Sequence, residues 1–242
     1  MRQILTEAVR RADPRMGRWL ASRPQTVQLA YYADLICRFT GEKPEPCHTY
    51  REVIARLFEE SRSCPTWDSF RAWMKDLGAD ALGFLIRFLN QAKRRELLLT
   101  RFPDVTHYLT HSRFASAIRA RLAQVLIPAL ERKQRILLMT HSFGSMVAYD
   151  LLWELSHRPQ YRAFQGRPID CFATLGSPLG DETVREHLLG SKHPLSKRYP
   201  TNIRRWCNFS ARGDLVCYDA RLSNDFRPMR RLGLIERMQE FR

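Results

Sequence analysis

The sequence lacks any long apolar run. Its purely apolar stretches, such as Ile136–Met139, are far shorter than the roughly 20 residues that span a bilayer. It also lacks the apolar core and small-residue cleavage site of a secretory signal, and it contains no repeat or low-complexity linker. With 242 residues, 44% of them hydrophobic, the chain can bury a sizeable core. We therefore expect a soluble cytoplasmic protein with a single domain over residues 1–242.

Cysteine pairs at the spacing of a zinc or redox site are also missing. The six cysteines include no C-x-x-C pair, and the Cys47–His48 dipeptide alone is too little for a metal site. Cys171 and Cys207 lie inside apolar runs, where a thiol behaves as a small hydrophobic group. The sequence therefore predicts reduced, structural cysteines, and it implies neither a metal ion nor an organic cofactor.

Acidic residues are scarce relative to basic ones. The chain has 25 Asp and Glu against 40 Lys and Arg, a formal charge of +15. Such a charge favours contact with nucleic acid, acidic lipid headgroups or anionic substrates. The basic residues are spread over many segments, however, and no zinc-finger, K-homology or RNA-recognition motif accompanies them. A solvated basic surface is the simpler interpretation, and binding of nucleic acid or an anionic membrane stays open as the alternative.

Strand-like and helical segments alternate along the chain. Four segments have the composition of strands: Thr26–Ile36, Arg135–Thr140, Asp170–Leu175 and Ile203–Ser210. Helical periodicity is found at Arg2–Arg11, over residues 112–130, and from Ser145 to about Ser156. This alternation predicts an α/β fold with a mostly parallel sheet and helices on both of its faces.

A helical insertion is predicted at about residues 50–100. Within it, Trp67–Asn90 ends in LGADALGFLIRFLN, which is apolar on most faces of a helix. Such a helix either packs in the core or forms a lid whose apolar surface suits an acyl chain. Both interpretations stay open.

The stretch RILLMTHSFGSMVAYD, residues 135–150, places a serine between an apolar strand and a helix. Gly144 supplies the small residue that close approach of strand and helix requires two positions after Ser142. Thr140 stands where the nucleophile-elbow pattern G-x-S-x-G has its first glycine. Taken alone, this pentapeptide makes Ser142 either an activated nucleophile or a cap on the helix.

A turn of this kind would present the Ser142 hydroxyl at the carboxyl end of the sheet. It would also direct the Phe143 N–H and the helix N-terminus at a developing oxyanion. In the catalytic interpretation, Ser142 is the nucleophile and Phe143 contributes its N–H to the oxyanion hole.

Three motifs follow one another along the chain: LLMTHSFGSMVAYDLL at 137–152, FATLGSPLG at 172–180, and RRWCNFSARGDLVCYD at 204–219. Together they resemble the α/β-hydrolase superfamily, in particular its serine esterase- and lipase-like members, over Asp104–Phe226. The resemblance implies hydrolysis of a small-molecule ester or a lipid through an acyl-enzyme on Ser142. It also implies that Asp214 is the acid of the catalytic triad, and a turn residue in the R-G-D segment is the alternative. Asp181, which also lies at the carboxyl end of a strand, and then Asp219 are the other candidates for the acid.

The chain departs from the family pattern at both ends. The family places a histidine after the acid, but no histidine follows His193, and the His-Gly dipeptide of the family's first strand is missing. His193 and His187 are the candidates for the base, and a solvated loop position is the alternative for both. His141 is interpreted as a packing or orienting residue.

Four explanations of these departures stay open. In the first, the chain is a fragment of a longer hydrolase, and in the second, it is a protein that kept the fold without the chemistry. In the third, it is an enzyme that recruits a histidine from elsewhere, and in the fourth, a second chain supplies the missing parts. The second explanation makes it a binding or interaction module. The exposed edges of a small sheet also make a homodimer a candidate.

Overall fold

The computed structural model describes residues 2–40, 103–210 and 222–241. The chain divides into two compact units, Met1–Trp73 and Met74–Arg242, and each is described by itself. The helical insertion predicted at 50–100 lies outside the described residues, as do Asp214 and Asp219. The single domain predicted for residues 1–242 stays a prediction.

The first unit contains helices α1 (Arg2–Ala12), α2 (Pro14–Ala21) and α3 (Ala33–Thr40). The helix predicted at Arg2–Arg11 is confirmed as α1. Asp13 separates α1 from α2 and caps α2, because its side chain accepts hydrogen bonds from the N–H groups of Arg15 and Met16 at 2.9 and 3.0 Å. Pro14 then occupies the first position of α2, where no N–H is required.

The strand predicted at Thr26–Ile36 is wrong. Pro24–Thr26 form a short 3₁₀ helix, residues 27–32 are irregular, and α3 begins at Ala33. The β-branched and aromatic start of this segment finds no partner strand among the described residues, and a strand is stable only when paired. The apolar residues that follow, Leu35, Ile36 and Phe39, recur at helical spacing instead.

The second unit is built on a parallel sheet. Its four described strands are β1 (Leu137–His141), β2 (Cys171–Leu175), β3 (Arg205–Phe209) and β4 (Arg237–Phe241). They lie in the order β1-β2-β3-β4, and every neighbouring pair is parallel. The predicted α/β class, the parallel sheet and the last three predicted strands are therefore confirmed. β4 was not predicted, because RMQEF carries too little apolar character to indicate a strand.

Helices precede, separate and follow these strands. In the described part of the second unit they are α4 (Pro103–Thr110), α5 (Ser112–Glu131), α6 (Phe143–His157), α7 (Glu182–His187), α8 (Leu195–Arg198), α9 (Leu222–Asp225) and α10 (Arg227–Arg231). The predicted helices over 112–130 and from Ser145 to about Ser156 are confirmed as α5 and α6. Short 3₁₀ helices lie at Pro159–Phe164 and Pro178–Gly180. Within the described ranges no helix is both long enough and apolar enough to cross a membrane.

The two faces of the sheet differ. One face carries the fully buried rings of Phe172 and Trp206, which pack against each other at a centroid distance of 5.1 Å. On this face the Thr174 hydroxyl accepts a hydrogen bond from the Trp206 indole at 3.0 Å and donates one to the Asn208 side chain at 2.8 Å. The side chains of Trp206, Thr174 and Asn208 are therefore paired with one another on this buried face.

The other face is open. Leu137, Met139, Phe209 and Phe241 are 60%, 49%, 39% and 42% exposed there. The described helices of the second unit thus leave this face uncovered, and the second helical layer predicted from the sequence is not found among the described residues of this unit.

A buried polar cluster joins α4, α5 and α6. The Tyr108 hydroxyl donates to Asp150 Oδ2 at 2.9 Å, and Arg119 Nη1 donates to the Tyr108 oxygen at 3.1 Å. The Leu189 N–H donates to Asp150 Oδ1 at 2.9 Å, and Arg119 Nε lies 3.2 Å from Glu154 Oε2. These contacts hold the two preceding helices on α6 at two of its residues, Asp150 and Glu154.

Burial raises the pKa of the Asp150 carboxyl to about 6, although the Leu189 N–H bond and the Arg119 charge oppose that rise. A carboxyl with a raised pKa binds its proton more tightly in the folded state than in the unfolded state. Its contribution to stability is therefore favourable at low pH and is lost as the pH rises from the unfolded pKa, about 4, to the folded pKa.

Replacing Asp150 by Asn removes this titration while keeping an acceptor for the Leu189 N–H. Between about pH 4 and about pH 7 we expect the unfolding free energy of the unmodified protein to fall, relative to that of Asp150→Asn, by up to about 3 kcal/mol. Urea denaturation at several pH values measures the difference. Glu131→Gln, at the exposed end of α5, serves as the control and should keep the original pH profile. Parallel profiles for Asp150→Asn and the unmodified protein would contradict the prediction.

Candidate active site

Ser142 is the single residue that joins β1, which ends at His141, to α6, which begins at Phe143. Its backbone has φ 48° and ψ −127°, a region that residues with a Cβ rarely occupy. In the described ranges, the other non-glycine residue with positive φ is Lys133. Conformations of this kind cost about 1–3 kcal/mol and persist where the surroundings enforce them, most often at functional sites.

Hydrogen bonds on both sides of Ser142 enforce this conformation. Its N–H donates to the Leu175 carbonyl at the end of β2 at 2.9 Å. Its own carbonyl accepts from the Ser145 N–H at 2.9 Å and from the Ser145 hydroxyl at 2.6 Å. The Ser145 and Ser177 hydroxyl oxygens are in turn 2.7 Å apart. This contact links the turn at His141–Gly144, here called the elbow, to the GSPLG turn after β2.

Thr140 occupies the position where a glycine was expected. Its hydroxyl donates to the Ala173 carbonyl of β2 at 3.3 Å, and the residue is half-buried. The side chain therefore lies along the neighbouring strand, and the turn accommodates a Thr two positions before Ser142.

Phe143 opens α6 and is buried. Its ring packs edge-on against Tyr108 of α4, with centroids 5.3 Å apart and ring planes at 81°. Its backbone N–H belongs to the first turn of a 15-residue helix, whose N-terminus favours negative charge. The donor predicted for the oxyanion hole thus lies at the start of the helix that carries Ser142 at its N-cap position.

The structure does not bring His193 to Ser142. His193 is exposed, and its ring packs on Trp153 with a centroid distance of 5.0 Å. Trp153 follows Ser142 by eleven residues on α6, which corresponds to about 16 Å along the helix axis. His193 instead lines a small pocket of about 250 Å³ at the far end of α6, together with Lys197 and Arg158.

The remaining described histidines have other neighbours. His187 is exposed, and its Nδ1 lies 2.7 Å from the Thr183 carbonyl of its own helix. His141 is exposed at the end of β1, and the rings of His107 and His111 pack together on the α4–α5 side at 5.0 Å. Among the described residues, no histidine is hydrogen-bonded to the Ser142 hydroxyl.

Of the three candidate acids, the structure describes Asp181. It is buried at the N-cap of α7, where its Oδ1 accepts from the Val184 N–H at 3.1 Å. A capping role accounts for its position at the end of the GSPLG turn. Asp214 and Asp219 lie outside the described residues, so the role assigned to Asp214 stays a prediction.

Sequence reasoning missed the pair formed by Ser145 and Ser177. Each serine follows a strand of the sheet by a few residues, one in SFGSM and the other in GSPLG. Because β1 and β2 are parallel neighbours, their carboxyl ends meet at one edge, and this was the pattern that could have indicated the contact.

In the described ranges, no group of three His, Cys, Asp or Glu side chains is arranged to hold a metal ion. Comparison with protein-family models, with curated proteins and with solved structures gives no match for this chain. The chemical interpretation of the elbow therefore depends on its own geometry.

The positive φ of Ser142 predicts that glycine is more stable than alanine at this position. In a helix, Gly is less stable than Ala by about 1 kcal/mol, but at positive φ the preference reverses. We expect Ser142→Gly to be more stable than Ser142→Ala by about 1 kcal/mol in urea denaturation. The same pair of substitutions at Ser156, a buried residue near the end of α6, should give the opposite order. A less stable Gly at both positions would contradict the strained backbone.

Proposed function

We propose that this protein is a serine hydrolase that cleaves a carboxylic ester, of a small molecule or a lipid, through an acyl-enzyme on Ser142. The observation that carries the proposal is the backbone of Ser142, φ 48° and ψ −127°, at a turn between a parallel strand and a helix. A strained turn of this kind is how α/β-hydrolases expose a nucleophilic serine above the sheet. Within the α/β class, assignment of this chain to the α/β-hydrolase fold is part of the same proposal.

The order of elements supports this assignment. β1, the elbow, α6, β2 and β3 follow one another as in the family that the sequence resembles, and the sheet is parallel throughout its described strands. The carboxyl ends of β1 and β2 lie side by side, because His141 pairs in register with Leu175. The GSPLG turn therefore adjoins the elbow, as the resemblance implies.

In the proposed reaction, Ser142 Oγ attacks the ester carbonyl carbon and its proton passes to a base. The Phe143 N–H stabilises the oxyanion, and collapse of the intermediate expels the alcohol, which takes up the proton. Water then attacks the acyl-enzyme, releases the acid and restores the serine. Asp214 would orient the base. Neither His193 nor His187 is hydrogen-bonded to Ser142 in the part of the chain that the structure describes, so the base is left unassigned.

One observation favours a second candidate. No histidine is hydrogen-bonded to Ser142 in the described ranges, as expected for a hydrolase-fold protein that binds a ligand without turning it over. The two candidates differ in one property, the nucleophilicity of Ser142, and the experiment below separates them. The homodimer, the cytoplasmic location and contacts of the basic surface with nucleic acid or anionic membrane stay predictions.

Labelling with a fluorophosphonate tests the nucleophile directly. We expect the full chain to gain one label, located on Ser142 by peptide mass spectrometry, and to hydrolyse p-nitrophenyl esters. Ser142→Ala should lose both properties, since the probe and the ester require an activated hydroxyl. Ser156→Ala removes a buried hydroxyl from the same helix and should behave like the unmodified protein. Absence of both label and turnover in the folded, unmodified chain would overturn the proposal and support the binding module.

A further inference from the structure

A chain of hydroxyl groups runs from the GSPLG turn to the elbow. The Ser142 carbonyl can only accept, so the single hydroxyl proton of Ser145 is donated to it at 2.6 Å. The contact of 2.7 Å between Ser145 and Ser177 must then use the Ser177 proton, and Ser177 Oγ accepts from the Leu179 N–H at 3.3 Å. Every donor along this chain therefore points toward the Ser142 carbonyl.

That carbonyl belongs to the same peptide group as the Phe143 N–H. A trans peptide is planar, with its N–H and C=O pointing in opposite directions, so holding the oxygen fixes the direction of the N–H. Hydrogen bonds in series also polarise one another, and a peptide whose oxygen accepts two bonds is a stronger donor at its nitrogen.

We propose that Ser145 and Ser177 are positioning residues, which direct and polarise the Phe143 N–H toward the oxyanion and hold Ser142 in its strained backbone. The catalytic part of this inference rests on the proposed function. Neither serine touches the substrate, and both act through the peptide that joins Ser142 to Phe143.

Burial separates this role from simple packing. Both side chains are fully buried, where a hydroxyl is costly unless it is hydrogen-bonded and where an alanine would avoid the cost. Ser156, further along α6, provides the contrast: its buried hydroxyl donates to Leu152 of its own helix at 2.8 Å and accepts from the Thr201 N–H at 3.0 Å. Ser156 thus has the chemistry of Ser145 without its connection to the elbow.

Fluorophosphonate kinetics on the full chain test the catalytic part. We expect Ser145→Ala and Ser177→Ala each to lower the maximal labelling rate about tenfold with little change in the apparent affinity for the probe. Ser156→Ala should change neither quantity, and Ser177→Thr, which keeps the hydroxyl, should restore most of the rate. Having two alanine variants guards against the failure of either one to fold, and circular dichroism confirms folding.

Nuclear magnetic resonance tests the structural part without relying on activity. In protein labelled with ¹⁵N-phenylalanine, the Phe143 amide nitrogen should shift in Ser145→Ala and stay in place in Ser156→Ala. Unchanged labelling rates in both alanine variants of an active protein would overturn the catalytic role. An unmoved Phe143 resonance would overturn the hydroxyl chain, even if the unmodified protein is inert and the proposed function fails.

Discussion

The hydrogen bond from the Ser142 N–H to the Leu175 carbonyl is the constraint on which the rest of the site depends. It continues the pairing of β1 with β2 one residue beyond the last strand position, so the sheet itself sets where Ser142 lies. The N–H of Ser142 is bonded to β2 and its carbonyl is bonded to Ser145, so the strand has to end and the helix has to begin within this one residue. The strain energy of the Ser142 backbone is offset by the hydrogen bonding of the sheet on one side and by the packing of α6 on the other.

Several polar side chains are buried in the interior around α6. Asp150 is buried between Tyr108 and the Leu189 N–H, and Thr174 connects Trp206 with Asn208 on the covered face of the sheet. Directional bonds of this kind add little net stability, but each permits one arrangement of the helices it joins. The elbow thus rests on a core whose geometry is specified by hydrogen bonds as well as by apolar packing.

Local patterns explain which features could be predicted from the sequence. The apolar run before Ser142, the small Gly144 and the amphipathic α5 each identify their element without help from distant residues. Thr26–Ile36 was misassigned because a strand depends on a partner that a linear pattern does not show. β4 was missed because RMQEF is stabilised by its neighbour β3 and carries little apolar character of its own. The contact between Ser145 and Ser177 depends on strand register, and the distance of His193 from Ser142 depends on the length of α6.

The described sheet has one more property with a consequence for how the chain is made. Each strand pairs in space with the strand that precedes it in sequence, from β1 through β4, and a helical segment separates each pair. The sheet can therefore grow at one edge as the polypeptide leaves the ribosome, with β1, the elbow and β2 assembled before β3 and β4 have been synthesised. Synthesis order and strand order coincide in the described sheet, so none of its early strands has to wait for a later one to fill a gap.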